Sequence, residues 1–115
     1  MGSSQFRSII GCMSGTSLDG VDAVIGKIEG AGLNIQAKYI GAAHASMPPA
    51  IRSILGRLAS GEPASPIEYL RAGRELGLLY ANVINDLCRH HEDESIAFVV
   101  AHGQTIWHAP QEGLS

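Results

Sequence analysis

Two short apolar runs separated by a glycine- and hydroxyl-rich segment constrain the start of the chain most strongly. Ser8-Ile9-Ile10-Gly11-Cys12-Met13 is short, rich in isoleucine and ends at a turn-forming cluster, which is the pattern of a buried strand. Ser14-Gly15-Thr16-Ser17-Leu18-Asp19-Gly20 follows as a turn, with Asp19-Gly20 as its local reversal signal, and Val21 to Ile28 forms a second strand. A β-hairpin is therefore predicted.

Gly30-Ala31-Gly32 makes the next break. Leu33, Ile35, Ala37 and Tyr39 then alternate with Asn34, Gln36 and Lys38, so a third, half-exposed strand is predicted there, completing an antiparallel meander. Pro48 and Pro49 open a helix that runs to about Ser60 and closes at Gly61. A longer helix starts at Ser65-Pro66-Ile67-Glu68, with Ser65 as N-cap, Pro66 in the first turn and Glu68 three residues after the cap. Leu76, Leu79, Val83 and Leu87, flanked by Tyr80, Ile84 and Cys88, lay an apolar stripe along it. His90-His91-Glu92-Asp93-Glu94 is a polar exit in which the histidines sit at a solvated helix end. Ile96-Ala97-Phe98-Val99-Val100-Ala101 reads as a strand covered on both faces. The predicted order is β-β-β-α-α-β, an α/β arrangement.

Composition narrows the classes of function. With 45% hydrophobic and 17% charged residues in 115, the chain can bury one core. A net charge of −3 without a basic stripe argues against nucleic-acid binding. No apolar stretch nears the ~20 residues that span a bilayer, so no membrane association is expected. Met1-Gly2-Ser3-Ser4-Gln5-Phe6 opens like a myristoylation signal but has Phe6 where that signal needs Ser or Thr. Two cysteines make no disulfide framework, and a cytoplasmic setting follows as an expectation.

Chemistry concentrates in two segments. Gly11 through Asp22 combines glycines that let a ligand approach the backbone, hydroxyls that donate to phosphate oxygens, and carboxylates able to hold hydrated Mg²⁺. The spacing is not a Walker A loop, because Val21 stands in place of its lysine, nor a hydrolase elbow, because Asp19 stands where glycine is needed. By itself the segment is equally well a polar hairpin turn. Ala101-His102-Gly103-Gln104-Thr105-Ile106-Trp107-His108-Ala109-Pro110 follows the last strand, where α/β proteins commonly place ligand groups. His102 and Gln104 suit sugar hydroxyls, and Trp107 offers either an aromatic face or simple packing. His102 and His108 lack the accompanying spacing of a metal site.

Together, Gly11-Cys12-Met13-Ser14-Gly15-Thr16-Ser17-Leu18-Asp19-Gly20-Val21-Asp22 and His102-Gly103-Gln104-Thr105-Ile106-Trp107-His108-Ala109-Pro110 resemble the two N-terminal signatures of the anhydro-N-acetylmuramic acid kinases. The resemblance runs from Arg7 onward. It implies a ribonuclease H-like, actin-like ATPase lobe, with residues 1–115 as the N-terminal part of the first lobe and the second lobe absent. It also implies ATP and Mg²⁺ as cofactors. The implied reaction opens the 1,6-anhydro bond of anhydro-N-acetylmuramic acid with water and phosphorylates O6, in the recycling of cell-wall sugars.

Carried over by position, Gly15, Thr16, Ser17, Leu18, Asp19, Gly20, Val21 and Asp22 resemble the family's ATP-binding loop. Ser17 and Asp19 are also implied sugar contacts, as are His102 and Gln104. Related kinases begin this loop with Asp-x-Gly-Thr, whereas Met13 holds that Asp position here, leaving Asp19 and Asp22 as candidate carboxylates near Mg²⁺. Family members are much longer, and the aspartate that activates water is expected beyond Ser115, so no catalytic residue is assigned within this chain and no activity is expected of it alone. Two other readings are a non-catalytic binding or assembly module that keeps part of the site, and a sugar kinase of the same superfamily with another substrate. Uncovered sheet edge would favour poor solubility or association, a homodimer included.

Overall fold

The computed structural model describes residues 6–114. The first five residues, and with them most of the myristoylation-like opening, lie outside the described residues, as does Ser115. The elements are β1 (Arg7–Ser14), β2 (Gly20–Glu29), a 3-10 turn (Gly32–Asn34), β3 (Gln36–Ser46), α1 (Pro49–Ala59), α2 (Pro66–Arg89), β4 (Ile96–Ala101) and a second 3-10 turn (Pro110–Glu112). The order β-β-β-α-α-β read from the sequence is the one observed, in an α/β fold with one mixed sheet.

The sheet has the strand order β3-β2-β1-β4. β1 and β2 pair antiparallel from Arg7↔Ile28 to Ser14↔Val21, and β2 pairs antiparallel with β3 from Gly20↔Ser46 to Glu29↔Gln36. β4 lies parallel to β1, with Gly11 opposite Val100 and Cys12 opposite Ala101. A parallel neighbour needs a crossover, which α1 and α2 supply between β3 and β4.

Alternation along the strands selects the covered face. Ile10 and Cys12 of β1 and Val21, Ala23 and Ile25 of β2 point to the helices, where Ile51 and Leu55 of α1 and Ala72, Leu76, Val83 and Leu87 of α2 meet them. Ile10, Ile25, Leu87 and Val21 are the largest completely buried side chains, each contributing roughly 1.5–3 kcal/mol of burial. Ser65 Oγ accepts from the Glu68 N–H at 3.2 Å, so α2 starts at the predicted cap.

Four expectations are corrected. The third strand begins at Gln36, after a 3-10 turn, and runs on to Ser46. Gly30 and Gly32 at φ 83° and 59° bend the chain there, leaving Leu33 fully exposed, while Gly41, Ala42, Ala43 and Ala45, small residues around His44, continue the ladder without an amphipathic signature. Second, β4 is an edge strand: Phe98, Val99 and Val100 are 50%, 44% and 54% exposed, because α2 packs across β2, β3 and the margin of β1 but not over β4. Third, the hairpin reverses three residues early, at Thr16-Ser17, through a turn closed by Leu18 N–H on the Gly15 carbonyl at 3.1 Å. Finally, His91 is half-buried with its ring against Gly41, where an added Cβ would lie 2.5 Å from Nε2; only His90 caps the helix end in solvent.

Candidate functional site

The sheet topology explains why the two chemistry-bearing segments meet. β1 and β4 are parallel and adjacent, so the loop leaving Ser14 and the loop leaving Ala101 emerge at the same end of the sheet. β2 starts and β3 finishes at that end too. There the Met47 N–H donates to the Asp19 carbonyl at 3.0 Å, drawing the entry to α1 against the first loop.

The first loop is tightly held. Leu18 takes φ 58°, a left-handed conformation that costs a non-glycine residue about 1–2 kcal/mol. Two contacts offset this: its side chain packs against the core, and its carbonyl accepts from Arg52 Nε of α1 at 3.1 Å. Gly20 has no alternative residue at its position, since a Cβ would lie 2.1 Å from the Ala45 carbonyl oxygen. Thr16, Ser17 and Asp19 are exposed, and the half-buried Gly15 meets only Ser17 Oγ within 4 Å of an added Cβ.

The second loop is tied to the first. The His102 N–H donates to the Cys12 carbonyl at 2.9 Å, extending the β1–β4 ladder by one rung. Gln104 Nε2 donates to the Gly15 carbonyl at 3.3 Å and to the Thr105 carbonyl at 3.1 Å. Both partners only accept, so the amide orientation is determined by chemistry, and Gln104 Oε1 is left buried without a hydrogen-bond partner. Such an acceptor costs about 1–3 kcal/mol until a donor reaches it. His102 Nδ1 donates to the Gly103 carbonyl at 2.8 Å, which makes Nε2 the lone-pair nitrogen of the neutral ring.

A cavity of about 550 Å³ opens over this loop, lined by His102, Gln104, Trp107 and, from α2, Tyr69. A neighbouring cleft of about 300 Å³ joins Thr16 to Thr105, Trp107 and His108. Trp107 is 55% exposed and also rests on Gly61, whose Cβ would lie 3.3 Å from its ring, so it both packs and lines the cavity.

The predicted residues therefore divide. Gly15, Thr16, His102 and Gln104 come together. Val21 is completely buried in the core and Gly20 is locked in the sheet, so neither presents a side chain to the loop surface. Asp22 lies on the open face of the sheet, its carboxylate 2.7 Å from His44 Nδ1, and shares a cavity with Gly11, Met13, Val24, Val100 and His102. Asp19 is exposed in the loop. Among the described residues no three His, Cys, Asp or Glu side chains group to hold a metal, and no helix is long and apolar enough to cross a membrane. Both cysteines are free thiols. Burial against the sheet pushes the Cys12 thiol above its ordinary value.

Sequence reasoning missed three contributors. Tyr69 and Arg52 carried no motif. Tyr80 flanks the apolar stripe in sequence, yet a half-buried tyrosine hydroxyl needs a partner, and that requirement is the signal that points to it.

The chain matches the family model described as "Anhydro-N-acetylmuramic acid kinase" over residues 7–115. It is 38% identical over 103 residues to the anhydro-N-acetylmuramic acid kinase of Pasteurella multocida (strain Pm70), covering 88% of this chain and 26% of that protein. It is 35% identical over 109 residues to that of Bordetella avium (strain 197N), covering 95% and 28%. With that of Bacillus cereus (strain Q1) the identity is 33% over 105 residues, covering 90% and 28%. The chain thus spans about a quarter of the length of these curated relatives. With a match that takes in both loops and the whole sheet between them, the chain belongs to the anhydro-N-acetylmuramic acid kinase family.

Proposed function

We propose that these residues are the N-terminal part of the first lobe, of actin-like architecture, in an ATP-dependent kinase. The kinase opens 1,6-anhydro-N-acetylmuramic acid with water and phosphorylates O6, giving N-acetylmuramic acid 6-phosphate. The observation that carries the reading is the joining of Gln104 to Gly15 beneath a cavity, which puts hydroxyl-rich and sugar-suited groups on one surface.

The groups present fit a nucleotide and a sugar. Gly15 allows close backbone approach, and the exposed Thr16 and Ser17 hydroxyls can donate to phosphate oxygens. Asp19 is the carboxylate better suited to hydrated Mg²⁺, since Asp22 is already engaged by His44. When bound, MgATP supplies the phosphoryl group and the metal offsets charge on its oxygens. Gln104 Oε1 accepts from a sugar hydroxyl, relieving its unpaired state, and His102 Nε2 offers a second acceptor. Tyr69 and Trp107 wall the cavity with aromatic rings, which suits the apolar faces of a pyranose.

The base that activates water belongs to a later segment of the longer kinase. Positioning and charge stabilisation require a complete, closed cleft, so the 115-residue chain alone is inactive and acts at most as a partial binding module. Mass spectrometry of the product made by the longer protein tests the reading. A product heavier than the sugar by one water and one phosphoryl group supports it; an unmodified sugar, or phosphorylation with the anhydro ring retained, rejects it.

A further inference from the structure

We propose that Tyr80 of α2 is a positioning residue that sets the first loop and the His102 loop in fixed relation; this rests on the kinase reading of the two loops. Its hydroxyl donates to the His102 carbonyl at 2.7 Å. That carbonyl can only accept, so the Tyr80 hydrogen is committed, and the 3.0 Å contact with Ser14 Oγ must run from the serine to the tyrosine oxygen. The result is a directed chain, Ser14 O–H to Tyr80 O–H to His102 O=C, whose bonds polarise one another.

The placement gives the chain its leverage. Ser14 is the last residue of β1 and only 3% exposed, and His102 directly follows β4. Both loops are also joined by backbone at Cys12–His102 and by the side-chain bond from Gln104 to Gly15. Tyr80 comes from a third element, a helix whose own position is secured by Leu76, Val83 and Leu87 in the core. It therefore references both loops to the rigid body of the lobe. A nucleotide on one loop and a sugar on the other are aligned only as well as the loops are.

The test is Tyr80→Phe in the longer kinase, which keeps the ring and removes only the bridge. Amide exchange in the segments 12–18 and 101–107 should quicken about tenfold while β2 is unchanged. The kcat should fall about 10- to 100-fold, with calorimetric affinities for ATP and for the sugar, measured separately, kept within about threefold. Ser14→Ala should have a smaller effect, and the double variant should be no worse than Tyr80→Phe alone. A purely structural tyrosine would lower the melting temperature and leave kcat intact in the folded protein. That outcome, or unaltered exchange in both loops, overturns the proposal. If the wild-type protein releases no sugar-dependent ADP, the kinase reading fails separately, and the exchange data still decide whether Tyr80 holds the loops together.

Discussion

Gln104 Nε2 and the Gly15 carbonyl, 89 positions apart in sequence, meet at 3.3 Å and bind the second loop to the first. Gln104→Ala removes both this tie and the unpaired Oε1. The expected outcome is a loss of about 10- to 100-fold in kcat/KM for the sugar in the longer kinase, with little change in melting temperature because an unsatisfied buried acceptor is lost at the same time. Steady-state kinetics beside a thermal melt check it.

Two glycines should respond very differently to the same substitution. At Gly20 a Cβ would strike the Ala45 carbonyl oxygen at 2.1 Å, whereas at Gly11 nothing lies within 4 Å. Gly20→Ala should destabilise by about 2–4 kcal/mol, and Gly11→Ala should stay within about 0.5 kcal/mol of the parent. Denaturant titration of the two variants makes the comparison.

Glu94 should govern stability in acid. Ser8 Oγ donates to it at 2.7 Å, and this bond is the main cause holding its carboxyl below the ordinary carboxylate value. Its burial opposes the shift, while Lys27 Nζ at 3.4 Å and the nearby His91 add to it. With the folded value below the unfolded one, the unfolded chain binds the extra proton first. The stabilisation is complete above the unfolded value and is lost as pH falls toward the folded value. Glu94→Gln should flatten the acid limb of a melting-temperature profile, and an unchanged slope would contradict this assignment.

The uncovered edge should make the isolated chain associate. Phe98 and Val100 of β4 continue the open apolar face formed by Met13 and Val24, and no strand pairs with the outer side of β4 among the described residues. Gel filtration should show oligomers or losses on the column. Phe98→Lys, which places a charge on that edge, should shift the population toward monomer; a sharp monomeric peak from the unaltered chain would contradict the expectation.

Legibility in the sequence followed the strength of local signals. Ser65, Pro66 and Glu68 marked the start of α2, and Leu76, Val83 and Leu87 its buried face, because capping and helical periodicity are short-range. The third strand was misplaced because Leu33 and Ile35 alternate attractively yet lie beyond the ladder, while Gly41 to Ala45 carry too little contrast to register. The apolar run of β4 predicted cover on both faces, and its state here depends on what packs beside it, which no local pattern states. Of the candidate site, Gly15 and Gln104 stand in the two motifs that the sequence marks. Arg52, Tyr69 and Tyr80 stand in neither, since each acts across a distance that only the packing of α1 and α2 creates.

The most direct test of the account is ADP release by the longer kinase with saturating MgATP, measured with and without 1,6-anhydro-N-acetylmuramic acid. The account predicts sugar-dependent ADP from the longer protein and none from the 115-residue chain. Absence of sugar-dependent ADP from the longer protein, or full activity from the short chain, would contradict it.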